Sequence, residues 1–320
     1  MPELIWVIGR GGLLGASVEA TIGYAGELWQ PRQRISWSNS DGAREELRIL
    51  TQRFVSDTGD RPWSVLWCAG AGTVATSATI LQLELGALRA TLEQLAASPN
   101  AKRGSIFYAS SAGGVYAGVG SPPYDESSPV RPLSAYGRAK LEAEMLVKEW
   151  SANVGTAALI GRIANIYGPG QNINKAQGLI SQICRSYLLG KPLSIYVPLD
   201  TIRDYFFAPD CAALIVDAMA RLREHCATRG PTVVTKILAS QRAITVGAVL
   251  GEMRRIFKNP PRIVVGASAT QSLQVRDLSL QSRMWPELNR RILTPFPVGV
   301  AITWADLLRR LQSAELVLSG

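Results

Sequence analysis

The sequence predicts an α/β fold, a doubly wound parallel sheet with a smaller C-terminal α+β lobe. Three observations predict it. Leu4 to Ile8 is a short, continuously apolar run with β-branched residues, suited to a strand buried on both faces of a parallel sheet. It runs straight into a glycine-rich turn followed by a helical stretch. Strand-like runs at 63–70 and 104–116 then alternate with helical stretches at 41–55 and 78–97, as in successive βαβ units.

Length and composition are compatible with this. With 320 residues, 47% hydrophobic and 18% charged, the chain can hold one large α/β domain with a lobe, or two domains with their own cores. A net charge of +9 raises nucleic acid as a partner. The basic residues, however, are scattered, mostly arginine, and no helix-turn-helix, zinc-finger or basic-aromatic signature accompanies them. The expectation is a basic surface with local phosphate contacts and no nucleic acid. Cys68, Cys184, Cys211 and Cys226 form no C-x-x-C pair and read as reduced thiols of a cytoplasmic protein. His225 is the only histidine, which removes a Ser-His-Asp triad and any multi-histidine metal site. No apolar run reaches the ~18 residues of a membrane span, and the N-terminus has no basic leader, so neither a membrane nor a signal peptide is expected.

The glycine turn comes first in chain order. Gly9, Gly12 and Gly15 keep a G-x-x-G-x-x-G spacing between the first strand and a helix expected from about Ala16 to Gly26. Glycine allows the tight turn and lets backbone N–H groups reach a pyrophosphate at the positive end of the helix. This is the opening of a Rossmann-type domain, with Gly9, Arg10, Gly12, Leu13, Leu14 and Gly15 as candidate cofactor contacts. A second strand is expected at about Arg34 to Ser38, with Trp37 and Ser38 at its cofactor end. In NAD-binding versions an acid there accepts bonds from the ribose hydroxyls. None stands there, and Arg10, Arg34 and Arg44 are near, so the reading leans to NADP over NAD, with Asp41 the acid that could still serve NAD.

The helix from Asp41 leads directly into the strand at Trp63, leaving little room for another strand, so this half of the sheet looks abbreviated. That strand opens onto Ala69 and Gly70, small residues placed to lie beside an adenine. In the helix at 78–97, Leu81, Leu85, Leu88, Leu92 and Leu95 make a stripe for core or dimer contact. The run from Gly104 carries Ser110 and Ser111 at its end, where ligands bind in parallel sheets. Tyr136 and Lys140 follow, four residues apart and so one turn apart on a helix face. A phenol titrates near ~10, and a neighbouring ammonium favours its phenolate, which makes such a pair a proton donor and acceptor.

After Gly168-Pro-Gly, helices are expected at 176–189, 209–223, 244–257 and 301–311, and short strands at 193–197 and 205–207. The β-branched run from Thr232 to Leu238 is expected to return to the main sheet. The organisation is therefore a dinucleotide-binding domain over 1–168 with a returning segment near 205–240, interleaved with a substrate lobe over 169–320.

The motifs together resemble the extended short-chain dehydrogenase/reductase family, in its nucleotide-sugar epimerase/dehydratase branch. The matching pieces are Gly9-x-x-Gly12-x-x-Gly15, Ser110-Ser111 with Val115-Tyr116, Tyr136-x-x-x-Lys140, Arg162-x-x-Asn165 before Gly168-Pro169, and Arg203-Asp-Tyr205. They occur in the family's order over residues 4 to about 210, and the tail beyond 240 matches loosely. The resemblance implies that Ser111 orients the substrate oxygen, Tyr136 exchanges the proton, and Lys140 binds the nicotinamide ribose. It also implies that Asn165 contacts a sugar nucleotide and Arg203 pairs with its diphosphate. A homodimer through the helices near 78–97 and 136–150 is implied as well.

Three departures qualify the match. Ser111-Ala-Gly-Gly-Val-Tyr116 is one residue longer than the commonest family spacing, which leaves the hydroxyl role with Ser111, shifts it to Ser110, or loses it at Ala112. Ala112 and Gly113 stand where dehydratases carry an Asp-Glu pair. No arginine stands in Ser268 to Leu273, though Arg276 follows. The reading is reduction of a nucleotide 4-keto-sugar with NADPH. The alternatives are a 4-epimerase with tightly held NAD and, further off, a non-catalytic dinucleotide sensor.

Overall fold

The computed structural model describes all residues except 38–39, 119, 175–177, 258–261, 267–274 and 314–320, and it leaves aside the side chains of Tyr24, Ser40, Asp41 and Val265. Strand β1 (Leu4–Ile8) leads through the glycine turn into α1 (Leu13–Thr21). Then come β2 (Glu27–Leu28), α2 (Ser40–Thr58), β3 (Trp63–Trp67), α3 (Ala78–Ala96) and β4 (Gly104–Ser111). A short α4 (Ala112–Tyr116), α5 (Ala135–Val154) and β5 (Ala157–Ile163) complete the first half of the chain. The second half runs β6 (Asn165–Tyr167), α6 (Leu179–Leu189), β7 (Leu193–Ile195), β8 (Ile202–Arg203), β9 (Tyr205–Phe207) and α7 (Ala208–Arg229). It closes with β10 (Val233–Leu238), β11 (Ile244–Thr245), α8 (Val246–Ile256), β12 (Ile263–Val265), β13 (Asp277–Leu278) and α9 (Phe296–Gln312).

The main sheet has the order β10-β5-β4-β3-β1-β2, with every neighbouring pair parallel. Parallel strands need crossovers, and the helices that supply them cover both faces. One face packs Trp6, Trp63, Ile106 and Ile160 against Leu50, Phe54, Leu88 and Val147 of α2, α3 and α5. The other packs Val7, Phe107 and Leu159 against Val18 of α1 and Ile215 and Leu222 of α7. Strands β1, β3 and β5 are buried along their whole length, which is why they read as unbroken apolar runs rather than alternating ones. As expected, α2 leads directly to β3 and β10 returns to the main sheet, where it pairs with β5, while β3 pairs with β1.

The second strand is a correction. It lies at Glu27–Leu28, not at 34–38, and pairs with Leu4 and Ile5. Trp29 continues the pairing through its amide to the Ile5 carbonyl at 2.7 Å, and its ring meets Trp6 and Phe54 edge-on at 5.1 and 5.3 Å. Burying this ring anchors the chain here, and Pro31 ends the strand rather than interrupting its start. Two smaller boundaries also move. α1 starts at Leu13, directly at the glycine turn, and ends at Thr21. α9 starts at Phe296, because Pro297 falls in its first turn, where no backbone N–H is needed.

The remaining elements build the lobe. β8 pairs with β11 and β13, β7 with β12, and β6 with β9. Around them Tyr167, Ile183, Phe207, Val249, Phe257 and Leu307 form a separate core.

Candidate active site

The glycine turn is sterically determined. Gly9 has φ +92°, and a Cβ on it would lie 2.6 Å from the Ala69 backbone nitrogen. A Cβ on Gly15 would lie 2.3 Å from the Gly9 carbonyl oxygen, so this backbone can close up only with glycine at both positions. The Gly12 amide bonds the Gly9 carbonyl at 2.9 Å, and no side chain caps α1. The first amides of α1 are therefore free to meet an anion, the donor set a pyrophosphate requires. Leu14 points into the core and offers the turn only its backbone, while Leu13 is half-buried. Arg10 reaches back to the Pro31 carbonyl at 3.2 Å and to Glu19 at 3.6 Å, which places it beside the end of β2.

Trp37 does not stand at that strand end. It is an exposed turn residue well past β2, and the residues that follow Leu28 are Trp29, Gln30 and Pro31, again without an acid. Ser38 and the side chain of Asp41 lie outside the described residues.

Ser111, Tyr136 and Lys140 come together at the carboxyl end of β4. Helix α5 is capped by Ser134, which accepts from the Gly137 amide at 3.1 Å. A Cβ on Gly137 would lie 2.1 Å from the Gly114 carbonyl oxygen, so α4 and α5 touch backbone to backbone. That contact brings Tyr136 against the end of β4. The Tyr136 ring lies between Gly72 and Gly114, since a Cβ on either would come within 3.2 Å of it. Ser111 caps α4, its oxygen accepting from the Gly114 amide at 3.1 Å, and it is half-buried with its own hydrogen free to be donated. Lys140 Nζ lies 5.8 Å from the Tyr136 ring centroid and donates to the Ala109 carbonyl at 3.0 Å and to Tyr108 Oη at 3.3 Å. Burial works against its charge, but the Tyr108 and Tyr136 oxygens and the Glu84 carboxylate outweigh it, holding the ammonium above its ordinary value. Gly70, exposed at φ +145°, faces that ammonium, and Ala69 backs the glycine turn.

The two serines at the end of β4 differ in surroundings, and Ser111 is the one left half-buried. Ser110 is only 4% exposed, and its hydroxyl donates to Glu144 at 2.6 Å. Glu144 also forms a two-point pair with Arg162, at 3.0 and 2.7 Å, and Arg162 reaches Tyr116 Oη at 2.8 Å. All four are buried. Breaking such a pair costs about 3–5 kcal/mol, which marks Ser110 as part of a tie between β4, β5, α4 and α5. Ala112 is wholly buried, so the extra residue is absorbed in α4 and brings no hydroxyl or acid into the cleft. Sequence reasoning missed this tie and the role of Tyr108. Glu144 was visible in principle, one turn beyond Lys140 on the same helix face.

From the lobe, Asn165 is exposed at the start of β6, and its register partner is Tyr205, two residues beyond Arg203. Arg203 is 9% exposed and, among the described residues, donates to the Ile202 and Arg276 carbonyls. Among the described residues it makes no ion pair, and burial pushes its charge down. Arg276 is exposed and pairs with Asp200. The stretch 268–273 lies outside the described residues.

A model of the NAD dependent epimerase/dehydratase family matches residues 5–229, and the chain belongs to that family. Among curated relatives, the UDP-glucose 4-epimerase of Azospirillum brasilense is 32% identical over 182 residues, covering 49% of this chain and 51% of the relative. The dTDP-L-rhamnose 4-epimerase of Burkholderia thailandensis is 35% identical over 98 residues, 30% of this chain and 27% of the relative. The dTDP-4-dehydro-6-deoxyglucose reductase of Escherichia coli is 30% identical over 105 residues, 33% of each chain. The chain thus spans about half or less of the length of these relatives. Two solved structures share the fold. The UDP-glucose 4-epimerase of Thermotoga maritima with UDP-glucose has a TM-score of 0.77 at 20% identity, covering 96% of this chain and 99% of that chain. The UDP-glucose 4-epimerase of Thermus thermophilus with NAD has a TM-score of 0.75 at 18% identity, covering 95% and 99%. No helix among the described residues is long and apolar enough to cross a membrane.

Proposed function

We propose that this chain is an NAD(P)-dependent oxidoreductase acting on a nucleotide-activated sugar, and that it reduces a 4-keto-sugar with Tyr136 as proton donor. The observation that carries the reading is the convergence of Ser111, Tyr136 and Lys140 at the end of β4, beside a glycine turn that accepts no side chain. Gly9, Gly12 and Gly15, with the amides of Leu13 and Leu14, would hold the pyrophosphate, and Ala69 and Gly70 would lie along the adenine side. The dinucleotide, when bound, supplies the hydride. Ser111 donates a hydrogen bond to the sugar carbonyl and fixes its orientation. Tyr136 gives its proton to the oxygen as negative charge develops there, and Lys140 holds the ribose while its charge favours loss of that proton. Arg203, buried and in no ion pair among the described residues, is suited to a diphosphate, with Asn165 on the neighbouring strand pair. The acid-free end of β2, with Arg10 beside it, favours NADP. Ala112 and Gly113 supply no acid or base for removing water, which speaks against dehydration.

A 4-epimerase is the second reading, favoured by the 4-epimerases among the relatives. Tyr136 would then first take the hydroxyl proton while the carbon gives its hydride to NAD, and would return the proton to that oxygen once the keto-sugar has turned and takes the hydride back on its other face. The test is to supply purified protein with NADPH and nucleotide 4-keto-sugars, and separately to denature it and assay what it releases. Consumption of NADPH supports the reductase. Stoichiometric release of NAD+ with no NADPH consumed would end the reductase reading and favour the epimerase. We also propose a homodimer through α3 and α5, where Ile80, Leu83 and Met145 are exposed.

A further inference from the structure

We infer that Tyr108 is a positioning residue for Lys140, holding the ammonium against β4 so that its remaining N–H faces the Gly70 side of the cleft. The inference rests on the proposed function of that cleft. An ammonium has three donors and no acceptor. Two of Lys140's go to the Ala109 carbonyl at 3.0 Å and to Tyr108 Oη at 3.3 Å, both on β4. Gly70 lies on the open side, with Nζ 3.5 Å from where its Cβ would be. Among the described residues no carboxylate makes an ion pair with Lys140, so two neutral oxygens and the Tyr108 ring, 5.1 Å away, hold the ammonium in place, with the Glu84 carboxylate facing it across the Gly70 side. Tyr108 is 4% exposed in the core beneath α5, and Lys140 is the hydrogen-bond partner of its hydroxyl. A phenylalanine would fill that core equally well, whereas a buried hydroxyl is costly unless it bonds something. What the hydroxyl adds is a second fixed point for the ammonium. With one anchor alone, the long lysine stem swings and binds the ribose with less order.

A pH readout separates this role from simple packing. The groups facing Lys140 are Tyr108 on β4, Tyr136 on α5, Glu84 on α3 and Cys68 after β3, and Tyr108 in turn faces Glu144. Burial disfavours the Lys140 charge, and Tyr108 leads the groups that offset it. Removing its hydroxyl leaves burial less opposed, so the ammonium loses its proton at a lower pH.

The test is fluorescence titration with NADH and NADPH from pH 7 to 10.5 on the wild type, Tyr108→Phe, Tyr108→Met and Lys140→Met. The expected result for both Tyr108 variants is a folded protein whose cofactor binding is about fivefold to tenfold weaker, the value of one hydrogen bond. Its alkaline loss of binding should also begin at lower pH than in the wild type. Wild-type affinity and pH dependence in Tyr108→Phe, with Lys140→Met impaired, would overturn this inference alone. Loss of folding in both Tyr108 variants would make the residue structural and overturn it too. A wild type that binds neither cofactor would overturn the proposed function along with it.

Discussion

A guanidinium taken out of water costs several kcal/mol unless something negative meets it, and Arg203 is buried with no ion pair among the described residues, its hydrogen bonds going to carbonyls and Asp277 and Tyr205 offsetting burial only in part. Contrast Arg162, equally buried, whose charge is satisfied by Glu144 and has nothing left to offer a ligand. One arginine is a strut and the other a buried charge in no ion pair among the described residues. Replacing Arg203 with methionine should therefore separate stability from binding. Thermal stability is expected to hold or rise, because a buried charge that its neighbours offset only in part is gone, while KM for a nucleotide sugar rises roughly 10- to 100-fold, the worth of a charge-assisted bond. An unchanged KM, measured beside a thermal melt, would remove Arg203 from the substrate site.

At the scale of elements, what was legible was local. The Gly9 to Gly15 turn and the Tyr136–Lys140 pair each lie within one or two turns of chain, so spacing alone placed them. Strand β2 was not local in this sense. Two residues of ladder are too few to show a period, and what holds them is the Trp29 ring against Trp6 and Phe54, a contact made across the sheet. The misplaced strand carried Trp37 and Ser38 with it as cofactor contacts, while its true end still lacks an acid. The spacing around Ser111 left the choice between the two serines open, and the contact that bears on it, Ser110 with Glu144, joins a strand to a helix 34 residues on. Tyr108 was invisible because nothing in a strand sequence says which lysine will pack beneath it.

The whole molecule is tied together by the returning strand β10. Lys236, wholly buried there, donates to Ser282 Oγ, the Met284 carbonyl and Asn289 Oδ1, and Ser282 in turn donates to Glu126. Neutral acceptors satisfy its hydrogens, but burial still pushes the amine down to about 8 from its ordinary 10.5. The unfolded chain thus holds more protons than the folded one between those values, so this group adds stability as pH rises through 8. Buried groups such as Cys68, pushed up to about 12 by burial, act in the opposite sense from about 9 upward. Between pH 8 and 9, denaturant titrations should show wild-type stability rising relative to Lys236→Met by up to about 1 kcal/mol per pH unit, whereas parallel curves would contradict the assignment. The chemistry has a more direct test. In Tyr136→Phe, affinity for the dinucleotide should stay nearly intact while turnover on the nucleotide sugar falls by about 100-fold or more, and turnover matching the wild type would contradict the account.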